Sequence, residues 1–232
     1  MRRPAWCLGV ALSVFLAGVV RAEPLISLDA PEGATLFDHA GVPASGFSLL
    51  RYFVTQDNQA FCGVASSVIV LNSLGVEAPV TPTLFPYRLW NQDNFFTDKV
   101  LAIKSATMVS VRGLELEQLG AILGTFGLKV EVRHADELKN VDGFRSTASA
   151  ALADSGKRVI VNYSRKALNQ EGGGHISPLA AYDKDSDRFL ILDVARYKVP
   201  PVWVTAKDLF DALNTKDTDA GKKRGLVIVS KN

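Results

Sequence analysis

Hydrophobic and polar positions divide the chain into segments of recognisable period. Val64, Ala65, Val68, Ile69, Leu71 and Leu74 form a broadly apolar run of about 12 residues. It opens on Cys62-Gly63 and stops at Gly75, which predicts a buried helix. Leu116, Leu119, Ile122, Leu123 and Phe126 recur at helical spacing before Gly127, and residues 143–155 read as an Ala-rich helix ended by Gly156. Residues 128–132 alternate as a strand, and 158–163 form another. Residues 176–182 and 188–194, joined by the polar turn 183–187, predict a hairpin. A short helix over 206–213 and a last strand over 226–229 follow. Residues 49–54 read as a short strand leading to Cys62, and 23–46, with weak periodicity, as chain wrapping the surface. Helices first and antiparallel strands later predict an α+β fold.

Composition narrows this to one catalytic domain. The chain has 232 residues, 47% apolar and 22% charged, enough for a single core. Arg2 and Arg3, an uncharged run over 4–20, and the small residues of Val20-Arg21-Ala22 read as a secretory signal peptide spanning 1–22. Cleavage before Glu23 leaves a domain over 23–232 destined for the periplasm or the exterior, with no stable membrane association. Cys7 lies inside the apolar run, which argues against a lipoprotein anchor. Without the leader, basic residues fall from 26 to 23 against 24 acidic, a net charge of −1. That balance carries no footprint for nucleic acid or acidic membranes. Lys222-Lys223-Arg224, between glycines, reads as a solvated turn.

Of two cysteines only Cys62 survives maturation, so it is an inert thiol, an intermolecular bridge or a reactive nucleophile. An ordinary thiol is only a few per cent ionised at pH 7. The start of a helix stabilises the thiolate through its free N–H groups and dipole. Gly63 removes a side chain beside the sulfur and leaves room for a substrate carbonyl. Gln56, six residues before Cys62, can donate to an oxyanion together with the Cys62 N–H. Among three histidines, His175 follows Gly172-Gly173-Gly174, a run that lets backbone turn sharply and approach a ligand, and it is the candidate base. Asp193 closes the apolar run 189–192 on the neighbouring strand and can orient that imidazole. Register leaves two cases. With the turn centred on residue 185 or 186 the two side chains share a face; with the centre between them a bulge is required, as at Pro178.

These residues resemble one family. Gln56-x5-Cys62-Gly63-Val64-Ala65-Ser66, Tyr163-Ser164-Arg165, Gly172-Gly173-Gly174-His175-Ile176-Ser177-Pro178 and Asp193-Val194-Ala195-Arg196-Tyr197-Lys198 are similar to the catalytic domain of phytochelatin synthases. The resemblance implies a papain-like fold with Cys62 at the start of a buried helix, packed on an antiparallel sheet that carries His175 and Asp193. It implies glutathione as substrate, cleaved at its Cys-Gly amide through a γ-glutamylcysteinyl thioester. Water would then yield γ-glutamylcysteine, and a second glutathione a phytochelatin. It also implies substrate contacts at Arg196, Gly174 and Tyr163. No cofactor is required; heavy-metal thiolates such as those of Cd would enter as substrate, in a cadmium-detoxifying role. Two other readings stand beside it. One is a papain-like peptidase or amidase with another substrate. The other is an exported thiol protein that binds soft metals, although no Cys-x2-Cys or His-x3-His spacing occurs.

Overall fold

The computed structural model describes residues 22–232. The expected leader, Ala22 apart, lies outside them. Seven strands form one antiparallel sheet: β1 (Ile26–Ser27), β2 (Leu128–His134), β3 (Lys157–Ser164), β4 (Gly174–Asp183), β5 (Arg188–Ile191), β6 (Val202–Thr205) and β7 (Gly225–Lys231). Their order is β1-β6-β5-β4-β3-β7-β2. Alternate residues feed two cores. Ile160, Ile176, Leu190 and Val227 join the cluster beneath α2 (Ala44–Arg51), α3 (Cys62–Ser73) and α4 (Leu116–Thr125). Val159, Val161, Phe189 and Leu226 join the one beneath α5 (Val141–Ala153) and α6 (Ala206–Leu213). The central strands are thus apolar on both faces, which is why they read as continuous runs. α3 is buried all round except at Asn72, the behaviour expected of a helix hydrophobic on every side. This is the α+β architecture that the sequence predicts. No helix among the described residues is long and apolar enough to cross a membrane.

Three expectations are corrected. Residues 44–51 form a helix where 49–54 reads as a strand, because a short apolar run does not declare its period. Pro43 sits extended at the N-cap and lets the chain turn into the helix. Residues 23–46 are not merely wrapping: they contain β1 and α1 (Pro31–His39). The hairpin strand β5 ends at Ile191, so Asp193 lies just beyond it. Pairs Asp183↔Arg188 and Tyr182↔Phe189 centre the turn between residues 185 and 186, and the required bulge falls between Leu179 and Ala181, not at Pro178. The bulge turns the end of the hairpin so that Asp193 faces His175.

Candidate active site

Cys62 is the first residue of α3, and no side chain caps that helix start, which leaves its N–H groups available. Ser66, one turn on, donates from Oγ to Ile176 O at 3.1 Å and ties α3 to β4 beside His175. Burial alone would push the Cys62 thiol up. The adjacent His175 outweighs it by hydrogen bonding and by charge, helped by the N–H groups of Ile176 and Gly63, and the thiol lies below its usual range. His175 moves the opposite way. Burial disfavours its cation, but Asp193 and Cys62 together raise it. A lowered thiol and a raised imidazole both favour passing the Cys62 proton to His175.

Behind the pair, Asp193 is fully buried and saturated with donors. His175 Nε2 donates to Oδ1 at 2.9 Å, so the other ring nitrogen faces Cys62. The Ala195 N–H donates to Oδ1 at 2.8 Å, and Tyr163 Oη to Oδ2 at 3.1 Å. Arg165 Nη2 lies 2.8 Å from both oxygens. Burial would raise this carboxyl, but His175 and Arg165 hold it down to about 2. With that proton on His175, thiolate, imidazolium, carboxylate and guanidinium are four buried charges that sum to zero. A buried charge without a partner would be costly, and none of these lacks one.

The candidates named from sequence fall in different places. Gln56 is buried and lines a cavity with His175 and Tyr197, and its backbone N–H donates to Val194 O at 2.9 Å, tying its loop to the segment after Asp193. Gln92 braces that loop by accepting from the Asp57 N–H and donating to Thr55 O. Tyr163 is wholly enclosed, and its hydroxyl serves Asp193. Arg196 does not line the Cys62 cleft. It donates to Thr55 Oγ1 at 2.7 Å and packs over Phe53, in a separate groove with Arg51 and Trp90. Gly63 leaves room for Leu114, not for a carbonyl, since a Cβ there would lie 3.0 Å from Leu114 Cδ1. The glycine run makes space for two arginines. Gly172 takes φ 114° against Arg165, and a Cβ on Gly174 would stand 2.3 Å from Arg224 Nη1.

The cleft at Cys62 encloses about 270 Å³ and is lined also by His175, Gly174, Asn162, Asp217 and Arg224. Arg224 Nη1 donates to Asn162 Oδ1 at 2.8 Å and Asp217 Oδ2 at 2.9 Å. Arg224 is therefore a cleft residue, against the reading of 222–224 as a solvated turn. Arg165, Asn162 and Asp217 were given no role from sequence. Only Arg165 carried a signal, its place beside Tyr163 in a quoted motif. Among the described residues no group of three or more His, Cys, Asp and Glu is placed to hold a metal ion.

A family model described as phytochelatin synthase matches residues 19–226. The chain belongs to the phytochelatin synthase family. Glutathione gamma-glutamylcysteinyltransferase 3 of Lotus japonicus is 34% identical over 218 residues, covering 92% of this chain and 44% of that protein. The corresponding enzyme 2 of Arabidopsis thaliana is 33% identical, with 90% and 46% covered, and that of Schizosaccharomyces pombe 30%, with 79% and 42% covered. The chain thus spans less than half the length of these family members. Among solved structures, the Pseudomonas avirulence protein AvrPphB covers 78% of this chain and 97% of its own at 13% identity and a TM-score of 0.34.

Proposed function

We propose that this phytochelatin synthase family member is an acyltransferase acting on glutathione. The Cys62 thiolate attacks the carbonyl carbon of the Cys-Gly amide, and the oxyanion is held by the Cys62 N–H and the Gln56 amide. As the C–N bond breaks, His175 gives its proton to the departing amine of glycine, leaving a γ-glutamylcysteinyl thioester on Cys62. The neutral imidazole then takes a proton from the second nucleophile. That is the amine of another glutathione, giving a phytochelatin, or water, giving γ-glutamylcysteine. Collapse returns the thiolate and the imidazolium.

The observation that carries this reading is the Cys62–His175 pair opening into a cleft that also holds Asp217 and Arg224. A γ-glutamyl group keeps a free α-ammonium and α-carboxylate, and neighbouring groups of opposite charge suit such a zwitterion. An ordinary peptide end inside a chain offers no such pair, which favours glutathione over a general peptidase substrate. Cd enters as a glutathione thiolate, not as a resident ion. Incubating the purified protein with glutathione, with and without Cd, beside Cys62→Ser, tests this by mass spectrometry of products. Glycine with γ-glutamylcysteine or its oligomers, absent from the control, is expected. No turnover by folded protein overturns it. Export is proposed on the leader pattern, and N-terminal sequencing of the mature protein from its native host should begin at Glu23.

A further inference from the structure

Gln56 carries an unbalanced set of hydrogen bonds. One Nε2 proton goes to Asn58 O at 2.9 Å and the other to Tyr197 Oη at 3.0 Å. Its Oε1 is buried with no partner. Reversing the amide does not relieve this, because it would set an oxygen against the Asn58 carbonyl at the same 2.9 Å. Both amide protons are therefore spent, and none remains for an oxyanion. Tyr197 is the movable partner. It sits in the turn after Asp193, is 55% exposed, and as an acceptor from Gln56 keeps its own proton ungiven among the described residues.

We propose that Tyr197 is a positioning residue that moves Gln56 between a resting and a working hydrogen-bond state. At rest its hydroxyl accepts from Nε2. When a tetrahedral intermediate forms, the hydroxyl shifts by about 2 Å, the spacing of the two amide heteroatoms, and donates to Oε1. Nε2 keeps its bond to Asn58 O, and its second proton, released by the hydroxyl, is left free for the oxyanion. Donation to Oε1 also polarises the amide and strengthens that N–H as a donor. The buried oxygen is then satisfied at the moment when charge develops. An exposed ring on a turn makes such a shift without disturbing the core, whereas the donors around Asp193 are enclosed and fixed.

This inference rests on the oxyanion role proposed for Gln56, and it is testable without glutathione. Single-turnover acylation of Cys62 by p-nitrophenyl acetate reads the same oxyanion donors. Tyr197→Phe, Gln56→Ala and the double variant are compared, each checked for unchanged thermal unfolding. Tyr197→Phe is expected to slow acylation about tenfold, the size of one lost hydrogen bond, and to lower kcat on glutathione with KM unchanged. The double variant should be no slower than Gln56→Ala, since Tyr197 acts only through Gln56. An unchanged acylation rate in Tyr197→Phe overturns the proposal, as does a full multiplicative loss in the double variant. Wild-type protein that is acylated by the ester but inert on glutathione overturns the glutathione reading instead, and the ester series still decides the role of Tyr197.

Discussion

Asp193 and Gln56 both lie beside His175, and their hydrogen bonding differs in kind. Asp193 accepts from His175, Tyr163, Arg165 and the Ala195 N–H, and every one of these donors is enclosed. Gln56 gives both protons away, one of them to a half-exposed tyrosine, and leaves a buried oxygen unpaired. The first arrangement holds a charge that is present throughout the cycle, so rigidity costs nothing in rate. The second serves a charge that exists only in transition, so a partner that can leave is useful. The contrast separates a side of the site built for stability from a side built for change.

That separation can be broken from either side. Arg165→Met should have the largest effect, because it strands the buried Asp193 carboxylate without its guanidinium; denaturant titration should lose about 3–5 kcal/mol. Gln56→Ala should leave stability nearly untouched, since it also removes the unpaired oxygen. On the proposed mechanism it should lower kcat by about 10²–10³ in steady-state assays. A stability loss from Gln56→Ala as large as that from Arg165→Met would erase the distinction.

Acid sharpens it. The Asp193 carboxyl is depressed to about 2 when folded, against about 3.9 in an unfolded chain. A depressed acid contributes stability that is fully present above the unfolded value and is lost as pH falls through the folded one. Unfolding followed from pH 5 to pH 2 should therefore show a loss of about 2 kcal/mol that is absent in Asp193→Asn. The lowered Cys62 thiol predicts iodoacetamide alkylation that stays fast below the ordinary thiol range, and a profile displaced upward by burial once His175→Ala removes the partner. The smallest change is Gly174→Ala. It presses on Arg224 at the end of a flexible side chain, so kcat/KM for glutathione should fall by up to about tenfold, with no change in ester acylation.

Much of this site was legible along the chain, for particular reasons. Cys62 is marked by a small residue and a long apolar run, His175 by the glycines before it, and Asp193 by ending an apolar strand. Each signal is local. Asn162, Asp217 and Arg224 have no local signal, because they converge from β3 and the segment leading into β7. Arg224 was misread for that reason: two of its basic neighbours do face solvent, and only the pairing of β7 with β3 turns the third inward. Tyr163 and Arg196 were assigned from motif company, which does not say toward which side of a strand or turn a side chain points.

The amino-acid sequence by itself determined the buried helix behind Cys62, the main strands, the hairpin and the identity of the three central side chains. Those follow from period, capping and the chemistry of single residues, all of which act over a few positions. The tertiary structure alone decided the rest. A bulge between Leu179 and Ala181 brings Asp193 to His175, and Arg165 closes a set of buried charges at zero. Packing hides Tyr163, keeps Arg196 off the cleft, and leaves Gln56 one hydrogen bond short. Each of these depends on which distant segments exclude water together, and desolvation and charge pairing are set by that enclosure, not by neighbours in the chain.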